Sequence, residues 1–339
     1  MKVTIKDIAK HAGVSMTTVS KIINNKDQDI SQATRDKVLK IMKEYNYVPN
    51  TIARSLVTKK TKTIGLVIPD IRNPFFPELA RGAEDKANEE GYNIIFCNTD
   101  DDVSKEEKYI SMLAEKMVDG IIFTASSKRT SGFDILSKKS IPIILVDRDI
   151  DFVGVKGKII VDNFQGAYEG VIHLLECGYK KIAFISGPLS SNTSICRLDG
   201  YKKALKSYEI DFKEECILEG DYKSEWGYKA VNTLLSKGIE FDGIFCGNDL
   251  IAIGAIKALK ENNIVVPKEV GVVGFDDIYI ANLVEPQLTS VKQPNYEMGY
   301  KAVEMLIDII DNKKDKVEDL VLSTELIKRN STIENVNLK

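Results

Sequence analysis

Apolar residues repeat with a helical period at the start of the chain and in short strand-like runs after it, and the change falls close to residue 62. Ile5, Ile8, Ala9 and Ala12 stand at i, i+3, i+4 and i+7, behind a Thr4/Asp7 pair with the spacing of a helix-capping box. Gly13 supplies a turn, and Ser15 can cap a second helix with Val19, Ile22 and Ile23 buried. Ser31 can cap a third, with Val38, Ile41, Met42 and Tyr45 facing inward, before the pattern closes at Tyr47-Val48-Pro49. Pro49 cannot continue a helix. A small all-α unit over residues 1–48 is therefore expected.

Residues 49–61 read as a connector, in which Asn50 could cap one or two helical turns through Leu56. Such a helix is too short to stand alone. From Thr63 onward the apolar runs are Ile64–Ile68, Asn93–Phe96, Asp119–Phe123 and Ile143–Val146, then Lys181–Ile185, Cys216–Glu219, Asp242–Cys246 and Val270–Gly274, with amphipathic helical stretches between them. Runs of this kind are buried parallel strands of an α/β fold. Asp-Gly-Ile occurs at 119 and again at 242, which points to two similar lobes, each a doubly wound sheet. The expected division of residues 62–339 is 62–160 plus 292–320 for the first lobe and 161–291 plus 321–339 for the second, the chain crossing back near 288–293 and 321–327.

The formal net charge of -3 conceals a segregation. Met1–Lys62 carries thirteen basic and five acidic residues, leaving 34 basic and 45 acidic for the remainder. A basic small segment on an acidic large one faces a polyanion through the small segment alone. Five scattered cysteines and two histidines offer neither a disulfide framework nor a metal site, so no metal and no cofactor are expected. The first residues lack the apolar core of an export signal and no run is long enough to span a bilayer, which predicts a cytoplasmic protein without membrane contact.

Candidate chemistry falls in two places. The outer face of the second helix presents Met16, Thr17, Ser20, Lys21 and Asn24, able to reach base edges and phosphates. Doubly wound sheets bind ligands at the carboxyl ends of their strands. Those ends carry Asn73, Asp147, Arg148, Arg197, Asn248, Asp276 and Gln293, the mixed donors and acceptors that vicinal hydroxyls require, while Phe75, Phe76 and Trp226 can cover the apolar faces of a sugar ring. An enzyme using Asp147 and Asp276 as acid and base is the rival reading, but no phosphate-binding loop, nucleophile elbow or metal cluster accompanies them, and no catalytic residue is assigned.

The string Thr4-Ile5-Lys6-Asp7-Ile8-Ala9-Lys10-His11-Ala12-Gly13-Val14-Ser15, followed by Thr18-Val19-Ser20-Lys21-Ile22-Ile23-Asn24, closely resembles the helix-turn-helix headpiece of the LacI/GalR repressor family. The elements Asn-Pro-Phe-Phe, Asp-Arg, a lone Arg, Asn-Asp, Gly-Phe-Asp and Gln recur in the order found in periplasmic ribose-binding proteins and ribose repressors. That resemblance implies a homodimer on pseudo-palindromic double-stranded operator DNA, contacted by Thr4, Ser15, Met16, Thr17, Thr18, Ser20, Lys21, Asn24 and Ser31 and by a hinge containing Asn50, Ala53, Arg54 and Leu56. It implies a small sugar effector, ribose or a related pentose, in a periplasmic-binding-protein-like domain. The segment from Arg197 and Glu219-Gly220-Asp221-Tyr222 also resemble catabolite-control regulators, which take a phosphocarrier protein as co-repressor. That alternative, and another sugar as effector, stay open.

Overall fold

The computed structural model describes residues 3–48, 60–126, 129, 141–150, 154–311 and 316–332. The chain divides into two compact units, Met1–Thr61 and Lys62–Lys339. Among its described residues the first holds three helices: α1 (Ile5–Ala12), α2 (Met16–Ile23) and α3 (Gln32–Glu44). Thr4 and Asp7 form a reciprocal capping box on α1, and Gly13 ends the helix in the left-handed region at φ 68°. Ser15 and Ser31 accept from the backbone of Thr18 and Thr34 at the next two helix starts. Ile8, Ala9, Ala12, Val19, Ile22 and Val38 make the core. Tyr45 is not among them. It is 41% exposed and stacks on His11 at 4.6 Å between ring centroids, because α3 ends at Glu44 and the Tyr45 backbone turns away. Tyr47 packs against the core in its place.

The described residues of the second unit form two six-stranded sheets. In the first, β1 (Thr63–Ile68), β2 (Asn93–Asn98), β3 (Gly120–Phe123), β4 (Ile143–Val146), β5 (Val155–Val161) and β11 (Leu320–Leu322) stand in the order β11-β5-β4-β3-β1-β2, all pairs parallel. In the second, β6 (Ile182–Ser186), β7 (Ile217–Glu219), β8 (Gly243–Cys246), β9 (Gly271–Asp276), β10 (Thr289–Lys292) and β12 (Glu325–Ile327) stand in the order β12-β10-β9-β8-β6-β7, parallel except for β12 against β10. Helices α4 (Phe75–Glu89), α5 (Val103–Glu115) and α10 (Asn295–Ile310) cover the first sheet. Helices α6 (Asn163–Glu176), α7 (Asn192–Ser207), α8 (Ser224–Ser236) and α9 (Asp249–Glu261) cover the second. Gly82 of α4 and Gly299 of α10 let those two helices touch backbone to backbone, since a Cβ on either would lie about 2 Å from a carbonyl oxygen of the other.

The repeated Asp-Gly-Ile has a structural explanation. Asp119 accepts from the Lys62 amide before β1, and Asp242 accepts from the Lys180 and Lys181 amides before β6, so each lobe staples the entry of one central strand to that of its neighbour. The chain crosses between lobes after β5, after β10 and between β11 and β12. Leu320–Leu322 pairs with β5 and belongs to the first sheet, so residues 321 and 322 lie on the other side of the division expected from sequence. Second-lobe Leu250, Ile253, Ile278 and Ile280 also pack against the core of the first lobe.

Candidate functional site

The carboxyl ends of the strands meet in a cleft between the lobes, which encloses about 870 Å³ with its open mouth included. It gathers Asn73, Phe75, Phe76, Asp147 and Arg148 from the first lobe, Arg197, Asn248 and Asp276 from the second, and Gln293 from the crossing after β10. Trp226 is absent from the lining. Its indole Nε1 donates to the Ser186 carbonyl at 2.9 Å and its ring covers Gly220, so it packs with the second-lobe core. The aromatic that lines the cleft from that side is Tyr222, and Asp101 and Thr193 join it. Tyr222 and Asp101 lie just beyond β7 and β2, where the strand-end rule would have found them.

Each polar group is held by the fold. Arg148 donates to Asp101 Oδ1 at 2.9 Å and to the Ala125 carbonyl at 2.8 Å, and its Nε lies 3.8 Å from Asp147 Oδ2. Burial works against its charge, and the carboxylates of Asp101 and Asp147 outweigh that and hold it above its ordinary value. Burial pushes the Asp147 carboxyl up, against Arg148 and Arg197. Arg197 donates through Nε to Asn163 at 2.8 Å and through a second nitrogen to the Gly247 carbonyl, with its guanidinium 3.6 Å from the centre of the Phe275 ring. Asn248 caps α9, accepting from the Ile251 amide at 2.9 Å.

Asp276 is pushed up to about 7, chiefly by burial, with Arg197 opposing. Gln293 Nε2 donates to Asp276 Oδ1 at 2.7 Å, while Gln293 Oε1 is buried with no hydrogen-bond partner among the described residues. Phe75 and Phe76 meet edge to face at 5.0 Å, forming one apolar wall.

On the helical unit, Ser15, Met16, Thr17 and Asn24 are exposed, and Thr18, Ser20 and Lys21 are half-buried, together along α2 and its caps. Lys21 pairs with Asp29 at 2.5 Å, and Asn24 donates to the Ser20 carbonyl at 2.7 Å. Thr4 and Ser31 are exposed caps of the neighbouring helices. Asn50, Ala53, Arg54 and Leu56 lie outside the described residues. Among the described residues no group of acidic, His or Cys side chains is placed to hold a metal ion, and no helix is long and apolar enough to cross a membrane.

A capped helical unit with a polar outward helix, carried on the same chain as a two-lobed cleft, defines a ligand-sensing regulator of transcription rather than an enzyme. Residues 4–50 match the bacterial regulatory proteins of the lacI family, and residues 61–330 match the periplasmic binding proteins and sugar binding domain of that family. The chain belongs to the LacI family. It is 43% identical over 336 residues to the HTH-type transcriptional regulator RegA of Clostridium saccharobutylicum, covering 98% of this chain and 100% of that one. It is 37% identical over 332 residues to the HTH-type transcriptional repressor PurR of Photorhabdus laumondii, covering 98% and 97%. Among solved structures, the lac repressor dimer bound to operator and the anti-inducer ONPF matches with TM-score 0.85 at 28% identity, covering 98% and 100%. A LacI family regulator from Enterococcus faecium with bound ribose matches with TM-score 0.71 at 29% identity, covering 80% and 99%.

Proposed function

We propose that the cleft takes a small uncharged sugar, ribose or a related pentose, and that its occupancy controls the affinity of the helical unit for operator DNA. The observation that carries this reading is Gln293. Its amide nitrogen is committed to Asp276 while its buried oxygen lacks a donor among the described residues, and a ligand hydroxyl supplies one. Around it, buried carboxylates and guanidinium groups suit vicinal hydroxyls, each charged hydrogen bond contributing about 1.5–3 kcal/mol. The lining carries Asp70, Asp100, Asp101, Asp147, Asp221 and Asp276 against Arg148, Arg197 and Lys223, which disfavours a phosphorylated ligand. The order of the pocket motifs and the ribose held by the Enterococcus relative support a pentose.

In this reading the protein is a cytoplasmic homodimer whose two α2 helices enter successive major grooves of a pseudo-palindrome. Met16, Thr17 and Lys21 read bases; Thr4, Ser15, Ser31 and the surrounding lysines hold phosphates. Sugar alters DNA affinity only as far as it favours one arrangement of the lobes. The test is a thermal-shift screen of pentoses, hexoses, sugar phosphates and purines, each active compound then added to the DNA complex. A pentose that raises the melting temperature and changes operator binding is expected; stabilisation by purines or sugar phosphates alone overturns the reading.

A further inference from the structure

The residue that lines the second-lobe side of the cleft in place of Trp226 is Tyr222, and no role has attached to it so far. We propose that Tyr222 sets the size limit of the pocket, admitting sugar rings that carry only hydroxyls and refusing those with an added hydroxymethyl group. The proposal rests on the sugar reading above.

Three observations carry it. First, the ring is fixed. Its hydroxyl shares a 2.6 Å hydrogen bond with Ser194, its carbonyl accepts from Asn248 at 3.3 Å, and a Cβ on Gly187 would stand 2.3 Å from its Cζ. Gly187 is thus the only residue type that leaves the ring this seat, and the ring has no retreat into the second lobe. Second, Tyr222 faces Arg148 across the cleft, with the guanidinium carbon 5.6 Å from the ring centre. A carbon placed between two surfaces needs about 3.5–4.0 Å to each, or roughly 7–8 Å in all. No ligand carbon fits between these two groups as they stand. Third, neither partner can yield cheaply within its own lobe, so only a change in the angle between the lobes can part them. Arg148 is anchored by Asp101 and the Ala125 carbonyl, and Tyr222 by Ser194 and Gly187.

A ring hydroxyl can be met by the polar groups beside this closed point, whereas an exocyclic carbon projecting toward it must part Arg148 from Tyr222. Discrimination by one such group amounts to about 10–200-fold in affinity.

Two matched pairs of sugars test this. D-Ribopyranose and D-allopyranose differ only by the hydroxymethyl group, as do D-xylopyranose and D-glucopyranose. Each is titrated by calorimetry into the full chain and into Tyr222→Phe, Tyr222→Leu and Tyr222→Ala, with thermal melts to confirm folding. In the pair the wild type binds, the pentose is expected to win by at least about tenfold. Tyr222→Phe keeps that ratio because the ring remains. Tyr222→Ala and Tyr222→Leu bring it toward one, through a gain for the hexose; Tyr222→Leu serves should the alanine variant not fold. The proposal is overturned if the wild type fails to discriminate within either pair, or if folded variants lose both sugars in parallel. Binding of none of the four sugars by the wild type sinks the sugar reading itself, an outcome distinct from equal binding within a pair.

Discussion

Asp147 and Asp276, one at a strand end in each lobe, both hold their backbones at positive φ, 69° and 111°. An aspartate does not hold such a φ without cost, and the strain amounts to about 1–3 kcal/mol per residue. Both also keep a buried carboxyl whose ionisation burial opposes. Two unfavourable features at one residue point to function rather than stability. Asp147→Gly is therefore expected to raise the melting temperature by a few degrees, about 1 kcal/mol, while abolishing the shift caused by sugar. Calorimetric melts with and without ligand check both halves, and a fall of several degrees contradicts the strain argument.

The Asp276 carboxyl predicts a pH dependence with a definite sign. Burial raises it from 3.8 to about 7, so between those values the folded chain holds a proton that the unfolded chain has lost. Stability from this group is complete below the lower value and lost as pH rises through the upper. Asp276→Asn removes this carboxyl's share of the titration and leaves that of the neighbouring buried Asp249. The melting temperature of the ligand-free wild type, relative to this variant, should fall from about pH 5 to about pH 7.5 and then level off. A difference that grows over that interval has the wrong sign for a raised carboxyl.

Asp249 does not itself line the cleft, yet it holds the turn that presents Asp276. Its Oδ1 accepts from Ser290 at 2.5 Å and its Oδ2 from the Ile278 amide at 2.8 Å, while Ser290 accepts from the Asp277 amide at 3.1 Å. With Asp277 also at positive φ, 53°, this turn needs external support. Asp249→Asn is expected to weaken sugar binding about tenfold, with a stability loss of about 1–3 kcal/mol. Unchanged affinity in isothermal titration would show that Gln293 alone suffices to place Asp276.

If Lys21 reads bases as proposed, its pair with Asp29 on the helical unit must compete with DNA. Both side chains reach water, at 41% and 63% exposure, so the pair is weak by itself. In that reading a base edge must nevertheless displace Asp29, and the nearby phosphates must tolerate its charge. Asp29→Asn is expected to tighten operator binding roughly two- to fivefold at low salt, with the gain shrinking as salt rises. Lys21→Ala should weaken it. Anisotropy titrations on a selected operator duplex at two salt concentrations decide this, and weaker binding by Asp29→Asn would remove Lys21 from the interface.

Local chemistry made much of this molecule readable from sequence. The capping residues Thr4, Ser15 and Ser31 act where their spacing puts them, and all seven polar side chains expected at the strand ends do meet in the cleft. Residues whose direction depends on distant packing were not readable. β5 carries no such signature in sequence, because Val155–Val161 alternates buried positions with Lys156 and Lys158 and includes a glycine, unlike the continuous apolar runs beside it. Trp226 and Tyr222 are four residues apart in sequence, and distant partners seat each ring, Gly187 and Ser194 for Tyr222 and Gly220 and the Ser186 carbonyl for Trp226. Tyr45 continues the stripe of α3 by count, but the helix ends one residue before it.

The strands at Leu320–Leu322 and Glu325–Ile327 complete one sheet each, and α10 supplies Met298, Val303 and Leu306 to the first-lobe core. During synthesis, then, the helical unit emerges long before either lobe can finish, because both await the same late segment. A chain stalled before residue 320 would carry a finished DNA-reading unit with no working sensor, whereas one that passes residue 327 closes both sheets almost together.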